Sequence, residues 1–446
     1  NSDVIALSSY LKTLNEGKDK GPAYIWQEAP EKPYILTEDL SAELVSNKPR
    51  LVRVNIGSEV SGRAYHVGLP NARNYSFDPR TLAVELIWSG RFLSLNNEKK
   101  NRADKPSEIG EKAEKWNKSS FTHLFQPLLS TGKKVDFSFK DPTETTDDNV
   151  TARLNDKKDF DDHLADIKVS FYLVVSVQGD IPRFNYRVEN NTVLAQINIT
   201  DDNQIKANFN VKTSSELRFS LADTSLLNIK ISHGKIIDKI WYLPKGLNQS
   251  VTFSASVKKP PELEPLNDNV VKQSNEKQAL VWSDTSSENA ELPAGYRLEN
   301  ALAPNDKFGR QVLFEPLGIA FTEQGNAYVS TRTSGVWKIT DNYWQQFAEG
   351  IFDSLGVVVD SENTIVVGEK TGLTRLVDKD SDGWADSRIN LSDSFTFNSN
   401  YHEYLHGPIK TLDNGYLYTL NLGHGLSGGY TGEGTMGTAG GYRGWA

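Results

Sequence analysis

The chain has 446 residues, contains no cysteine and carries a formal net charge of -9. The absence of cysteine excludes disulfides, thiolate metal sites and a covalent haem attachment within this sequence. The acidic balance, without any basic run, argues against nucleic acid and anionic membrane surfaces as partners. Mean hydropathy is -0.50, and no apolar run approaches the roughly 20 residues of a membrane span. A chain of two to four domains with a large core is predicted.

The sequence begins at Asn1, and its single methionine is Met436. We therefore expect that a signal peptide or a larger upstream piece has been removed.

The first predicted element is an amphipathic helix over residues 4–14. Its apolar side chains recur at helical spacing: Val4, Leu7, Tyr10, Leu11 and Leu14. After Pro33, short β-rich runs alternate with turns, as at 51–56, 82–88 and 135–139. The segment 96–118, rich in Asn, Lys and Glu, predicts a solvated loop.

Residues 166–257 read as a series of alternating strands. The runs are IKVSFYLVVSV, RFNYRV, VLAQINI, QIKANFNV, LRFSLA and SVTFSASV. A spacing of about ten residues, with turns between the runs, is typical of a β-sandwich. The following segment, 258–292, begins with Lys-Lys-Pro-Pro, continues with Ser, Asn and Glu, and predicts a linker.

An internal repeat follows the linker. LGIAF, GNAYV and SGVWKI, between residues 317 and 339, recur about 38 residues later as LGVVV, NTIVV and TGLTRL. A third copy, DNGYLY at 413–418, comes after an insertion. A period near 40 with several short strands per unit is typical of propeller blades. Three or four blades fit between 293 and 446, so a fragment of a larger propeller is expected.

The insertion contains DKDSDGWAD, with aspartates at 378, 380, 382 and 386 around Gly383. Calcium prefers several oxygen ligands on a tightly curled loop, and alternating carboxylates converge when a glycine allows a sharp turn. We therefore predict a calcium site with Asp378, Asp380 and Asp382 as side-chain ligands. Trp384 would ligate through its carbonyl, and Asp386 directly or through water. The alternative is a polar hairpin turn without an ion.

His402-Glu403-Tyr404-Leu405-His406 matches the zinc-protease pattern H-E-x-x-H. That chemistry requires both imidazoles on one face of a helix. Gly407-Pro408 follows immediately, so the sequence argues against such a helix. Two alternatives remain: His402 as a catalytic base oriented by Glu403 near the propeller axis, or a structural hydrogen-bonded pair.

Other candidates carry less chemistry. The glycine-rich run at 423–434 lacks a following Lys-Ser/Thr and predicts a connection rather than a phosphate cradle. Arg332, Glu369 and Arg375 lie on blade segments and could reach a central site, although isolated charges are usually solvated. Nine tryptophans allow a carbohydrate-stacking surface.

Several of these stretches resemble one family. The sequence is similar to large secreted bacterial proteins that join a c-type cytochrome domain, β-rich domains and a propeller related to glucose/sorbosone (quinoprotein-type) dehydrogenases. The stretches that carry the resemblance are LGIAFTEQGNAYVSTRTSGVWKI, LTRLVDKDSDGWADSR, NSNYHEYLHGPI and GGYRGWA, with RAYHVGLPNARNYSFDPRTLAVELIWSGRFLSL and DIPRFNYRV upstream. VIALSSYLKTL resembles the last helix of a cytochrome c.

The resemblance implies a mostly β protein. A short helical tail at 1–25 would precede two β-rich domains, at 26–150 and a sandwich-like 151–258. A linker at 259–292 and a partial β-propeller at 293–446 would follow. It also implies calcium, a pyrroloquinoline quinone cofactor, and a haem c on an upstream segment.

The function implied is that of the non-haem portion of a periplasmic or secreted bacterial sugar or alcohol dehydrogenase, which passes electrons to a c-type cytochrome. In this reading His402 is the base. The alternative function is a non-catalytic propeller and sandwich scaffold that binds glycan or a partner protein, since a fold alone does not settle activity.

Overall fold

The computed structural model describes residues 38–57, 60–100, 106–116, 123–136, 169–175, 180–221, 226–257, 277–284, 299–392 and 404–420. This part of the chain is mostly β, in several antiparallel sheets. Its two helices, α1 (Glu38–Ser41) and α2 (Asn96–Lys100), are short. Within the ranges just given, no helix has the length and apolar character needed to cross a membrane. The predicted helix at 4–14 lies outside these ranges.

Strands β1 to β9 precede residue 130. They are Ala42–Glu43, Arg50–Arg53, Tyr65–Gly68, Arg73–Asp78, Ala83–Ser89, Leu93–Ser94, Glu108–Ile109, Glu114–Lys115 and Gln126–Leu128. β2, β3, β4, β5 and β8 form a five-stranded sheet, and β1, β6 and β7 form a small one. The segment predicted as a solvated loop, 96–118, therefore contains three short elements among its described residues: α2, β7 and β8.

Strands β10 to β18 cover the predicted sandwich-like region. They are Val169–Val175, Arg183–Val188, Asn191–Ile199, Gln204–Lys212, Leu217–Ser220, Leu226–Ile231, Lys235–Ile237, Ile240–Leu243 and Asn248–Val257. All six runs that the alternation predicted contain a strand. Burial alternates strictly along β12 and β13, because successive side chains of a strand point to opposite faces of the sheet. The sequence missed β15, β16 and β17.

Strands β19 to β31 complete the described chain. They are Gln278–Ala279, Trp282–Asp284, Glu299–Ala301, Pro316–Phe321, Ala327–Thr331, Val336–Thr340, Tyr343–Ala348, Gly356–Ser361, Thr364–Glu369, Gly372–Val377, Ser387–Ser392, Leu405–Lys410 and Tyr416–Leu420. Three units follow the sequence repeat: repeat 1 (β22–β25), repeat 2 (β26–β29) and repeat 3 (β30–β31). Repeats 1 and 2 are four-stranded antiparallel meanders, and repeat 3 is a hairpin.

The largest hydrophobic core is shared by residues from 51–135 and from 184–257. Aromatic rings fill its centre: Phe77 stacks on Phe184 with centroids 3.9 Å apart, and Phe125 meets Phe253 edge-on at 5.0 Å. A second core lies between repeats 1 and 2. Burial of these apolar faces supplies most of the driving force for packing sheet on sheet.

One sheet joins strands of the sandwich-like region to the strands of repeat 2. Its ten strands run in the order β15-β18-β13-β12-β11-β10-β29-β28-β27-β26. The junction is the antiparallel pairing of β10 with β29, in which Val174 faces Arg388 and Val175 faces Ser387. Repeat 2 therefore continues the sheet of the preceding region.

The first strands of the three repeats approach each other at glycines. A Cβ on Gly318 would lie 3.1 Å from the Cα of Gly356, and a Cβ on Gly356 would overlap the carbonyl oxygen of Gly407. Gly368, on β27, also faces Gly407. Since these neighbours are backbone atoms, they cannot move aside as a flexible side chain can. The motifs LGIA, LGVV and HGPI thus occupy corresponding positions in repeats 1, 2 and 3.

We predict that Gly356→Ala destabilises the chain by about 3 kcal/mol, the upper part of the usual range for overpacking a core. The control is Gly132→Ala, because no atom lies within 4 Å of the position that the new Cβ would take, and the φ of Gly132 is +83. This control should cost about 1–2 kcal/mol from left-handed strain alone. Urea unfolding of both variants measures the difference, and equal losses would contradict the close approach.

Candidate functional site

The aspartate-rich loop connects β28 to β29 within repeat 2. Asp378 follows β28 directly, and Asp386 immediately precedes β29. Ser381 and Gly383 have positive φ values of 64 and 89, which give the loop its sharp turn. Such values are readily adopted by glycine and only sparsely by other residues. The sequence therefore placed the turn correctly.

Backbone amides of the loop donate to its own carboxylates. Asp378 accepts from the amides of Ser381 and Gly383, at 2.7 and 3.0 Å. Asp382 accepts from the amide of Trp384 at 2.7 Å. These bonds hold the carboxylates on the inside of the curl, because each aspartate is tied to an amide a few residues further along.

Repeat 1 holds the loop from outside. The Gln345 side chain donates to the carbonyl of Asp382 at 2.9 Å, and the Ala385 amide donates to the carbonyl of Phe347 at 2.8 Å. A side chain at Gly383 would collide with Gln345. Gly383 is therefore required both for the turn and for the contact between the repeats.

Three of the four aspartates come together. Asp378, Asp380 and Asp382 each present a carboxylate oxygen, and these oxygens lie within 4.8 Å of one another. Burial raises the pKa of Asp378, and the charges of Asp380 and Asp386 raise it further. Burial and the neighbouring carboxylates likewise raise the pKa of Asp382. The loop concentrates negative charge that a hard cation with oxygen ligands would neutralise.

Asp386 and Trp384 lie beside this group of three. Asp386 is buried and accepts from the Lys379 amide at 2.9 Å, which closes the base of the loop. The Trp384 ring is buried, and the Lys307 ammonium lies 5.7 Å from its centroid. Asp386 thus has a structural role in the loop, and the predicted direct or water-mediated ligation by this residue stays a prediction, as does ligation by the Trp384 carbonyl.

The catalytic candidates His402 and Glu403 lie outside the described residues, as does the glycine-rich run at 423–434. His406 is described, and it lies on strand β30. The helix that a zinc-protease motif requires is therefore not formed at the second histidine of the pattern.

A charged cavity of ≈ 60 Å³ lies between α2, β2 and the loops of repeat 1. On one wall the charged side chains form a network in which each has a hydrogen-bonded or ion-paired partner. Arg50 donates to Glu349 at 3.0 Å and pairs with Glu43 at 2.6 Å. Lys99 reaches Glu43 at 3.1 Å, and Lys307 reaches Glu349 at 2.7 Å. Burial alone would raise the pKa of Glu43, but the charges of Lys99 and Arg50 lower this pKa to about 2.

The opposite wall centres on Arg332, which follows β23. Its guanidinium lies 3.6 Å from a carboxylate oxygen of Asp353, 3.6 Å from Glu315 and 4.0 Å from Glu98. All three separations exceed a good hydrogen-bond length. Lys370, which follows β27, forms a short ion pair with Asp353. Arg332 and Lys370 thus occupy corresponding positions in repeats 1 and 2, and both face Asp353.

Glu98 is buried on α2, and its ion pair with Arg332 is long, at 4.0 Å. Burial, followed by the charge of Asp353, raises the pKa of Glu98 to about 8. Desolvation penalises the charged form of a carboxyl group. The uncharged carboxyl is therefore favoured at neutral pH.

The sequence singled out some of these residues and left open whether they reach a central site or are solvated. Arg332 and Glu369 are buried at 8% and 2% exposure rather than solvated. Glu369 accepts from the Thr374 hydroxyl at 2.6 Å and from the Phe352 amide at 3.0 Å. Arg375 pairs with Asp360 at 3.2 Å. The cavity itself was missed, although aligning STRTSG with GEKTG would have paired Arg332 with Lys370.

Comparison with known proteins adds no relative. No protein-family model matches the sequence, and no curated protein matches it.

We predict that Glu98→Gln flattens the pH dependence of stability between pH 5 and 8. Burial raises the pKa of Glu98 to about 8 in the folded chain, from the ordinary glutamate value of 4.5. The folded state therefore retains a proton that the unfolded state releases, so this stabilisation is complete below pH 4.5 and is lost as pH rises through 8. Melting temperatures of the wild type, Glu98→Gln and the exposed control Glu323→Gln measure the slope. A control-like slope for Glu98→Gln would contradict the buried uncharged carboxyl.

Proposed function

We propose that the chain is the non-haem part of a periplasmic or secreted calcium-dependent dehydrogenase that oxidises a sugar or alcohol and passes electrons to a c-type cytochrome. The observation that carries the proposal is the aspartate loop held between two strands of a repeat. The resemblance of the surrounding stretches supplies the reaction class. Repeats 1, 2 and 3 are consecutive blades of a propeller in this proposal, and the four-stranded meanders support it.

The donor set of the loop fits calcium. Asp378, Asp380 and Asp382 provide hard oxygen ligands, and burial together with the neighbouring carboxylates raises the pKa values of Asp378 and Asp382. A bound calcium ion would neutralise the charge of these carboxylates and stabilise the folded loop. Because Gln345 and Phe347 of repeat 1 contact the same loop, the ion would strengthen the contact between the repeats.

We predict that calcium raises the melting temperature of the full chain and that a chelator reverses the shift. Asp380→Ala should abolish this response, because it removes one of three converging carboxylates. The exposed control Glu323→Ala should retain it. Calorimetric titration with calcium and with magnesium provides the second readout. A wild-type melting temperature that is the same with calcium and with chelator would contradict calcium binding.

The proposed catalytic base is His402, with Glu403 fixing its tautomer. Imidazole suits removal of a hydroxyl proton near neutral pH, because its unperturbed pKa is about 6.5. When bound, a quinone would supply the electron acceptor. The quinone is implied by the resemblance, and its binding residues are not assigned.

We predict that His402→Ala lowers sugar- or alcohol-dependent dye reduction by at least a hundredfold, within the usual contribution of general base catalysis. The assay uses the full chain with calcium and added pyrroloquinoline quinone. His406→Ala is the matched control, since His406 lies on β30 and carries no role in the proposal. Equal activity of the two variants would show that His402 is not the base.

A scaffold that binds glycan or protein is the second candidate. Its support is the exposure of large apolar side chains on the first strands of repeats 1 and 3: Ile319 is 57% exposed, Phe321 is 65% exposed and Ile409 is 64% exposed. Exposed apolar surface often marks an interaction site. Retention of glycan without any turnover would favour this candidate over the dehydrogenase.

A further inference from the structure

The two walls of the charged cavity differ in one respect. Each charged group of the wall formed by Arg50, Glu43, Glu349, Lys99 and Lys307 has a hydrogen-bonded or ion-paired partner. On the Arg332 wall, by contrast, buried polar atoms have no hydrogen-bond partner among the described residues. Buried polar groups are nearly always hydrogen-bonded in folded proteins. The ion pairs of Arg332 on this wall are longer than hydrogen bonds, so its unpartnered atoms are available to a ligand.

The unpartnered atoms include both hydrogen-bond donors and hydrogen-bond acceptors. Arg332 contributes two donors, Nε and Nη2, while Asp353 Oδ1 and Glu98 Oε1 are acceptors when ionised. The hydroxyl of Thr333, which also lines the cavity, is unpartnered as well. Arg332, Glu98 and Asp353 are 8%, 4% and 1% exposed. A partner must therefore both accept from Arg332 and donate to the carboxyl groups within a small volume.

The charges on this wall nearly cancel. Two cations, Arg332 and Lys370, face Asp353 and Glu315, and the uncharged form of Glu98 is favoured. An anion would lie against Asp353, and a cation would lie against Arg332 and Lys370. Either would face a like charge at short range in a medium of low dielectric constant. A neutral ligand avoids both repulsions.

We propose that the Arg332–Asp353–Glu98 wall binds a small neutral molecule with neighbouring hydroxyl groups, such as a polyol or one edge of a monosaccharide. A hydroxyl accepts one hydrogen bond while it donates another, which matches the alternation of guanidinium and carboxyl groups. The ≈ 60 Å³ of space is on the order of four water molecules at about 10–15 Å³ each. It therefore admits two or three hydroxyl-bearing carbons rather than a whole sugar ring.

Asp353, which lines the cavity, is connected to the segment that the sequence singled out through its ion pair with Lys370. The Lys370 ammonium lies 5.2 Å from the centroid of the Tyr404 ring, and Tyr404 is adjacent in sequence to Glu403. Burial raises the pKa of the Tyr404 hydroxyl, and Asp353 raises it further. The uncharged ring therefore lies against Lys370 and adds no further charge beside the ion pair with Asp353.

The test measures binding without turnover. The full chain, with calcium and without any electron acceptor, is titrated calorimetrically with glycerol and with D-glucose, and crystals are soaked in each. Sodium sulfate and tert-butanol are the comparison ligands, since one is an anion and the other has a single hydroxyl. We expect glycerol or glucose to bind, with hydroxyl oxygens within hydrogen-bond distance of Arg332 and Asp353.

Two substitutions should weaken this binding at least tenfold: Arg332→Gln and Asp353→Asn. The control is Arg73→Gln, because Arg73 is also buried but donates to Asn203 at 2.7 Å and to the carbonyl of Asp201 at 2.7 Å. It should lose stability without losing affinity. Far-ultraviolet circular dichroism of each variant separates loss of affinity from loss of fold.

Several results would overturn the proposal. They are tighter binding of sulfate than of polyols, equal binding of tert-butanol, polyol density in soaked crystals without measurable binding in solution, and a crystal structure with only water or a side chain of this protein against Arg332 and Asp353. The inference goes beyond the proposed function because it concerns binding alone. A dehydrogenase without this site would still reduce dye in a His402-dependent manner, and a binding protein without oxidase chemistry would still retain the polyol.

Discussion

The close approach of backbone to backbone at Gly318, Gly356 and Gly407 is the constraint on which the repeat region depends. A side chain at the middle position would overlap the carbonyl oxygen of the next repeat. The first strands of the repeats therefore pack through glycine, and the apolar faces of repeats 1 and 2 meet in one core. Protein interiors are close-packed, so these strands have little freedom to pack in another arrangement. The same contact determines how the loops at each strand end are arranged.

Both candidate sites follow from this arrangement. The aspartate loop lies at the end of β28, where Gln345 and Phe347 of repeat 1 can reach it. The charged cavity lies where β23 ends, and Arg332 and Lys370 face its residue Asp353 from corresponding positions. Loops at strand ends carry function because a rigid scaffold positions them. In this chain the end of one strand in each of repeats 1 and 2 places a cation beside Asp353.

Local patterns predicted much of the fold. Strict alternation located β12 and β13, because successive side chains of a strand point to opposite faces of the sheet. The 38-residue period located repeats 1 and 2, because each repeat is one supersecondary unit. The aspartate spacing predicted a curled loop, which the positive φ of Gly383 confirms as a turn. The exposed strand β15, with almost no alternation in its burial, gave no comparable pattern.

Non-local relations could not be predicted. Glu98 belongs to a segment read as a solvated loop, yet it is buried beside Arg332 and Asp353 of repeats 1 and 2. Its burial depends on how α2 packs against the repeats, which no periodicity within 96–118 reports. The same is true of Arg332 and Glu369, which single-residue statistics assign to the surface. Tertiary packing, rather than local propensity, decides these positions.

The pairing of β10 with β29 has a consequence for the order of synthesis and folding. β29 lies more than two hundred residues after β10 along the chain, on the order of the longest contacts in a domain of this size. Strands β11 to β13 can form their hairpins as soon as they emerge, whereas the outer edge of β10, with the sequence VSFYLVV, has to await residues 387–392. An uncharged, β-branched and aromatic edge of this kind is prone to pair with other chains. The nascent protein is therefore exposed to self-association at this edge until residues 387–392 have been made.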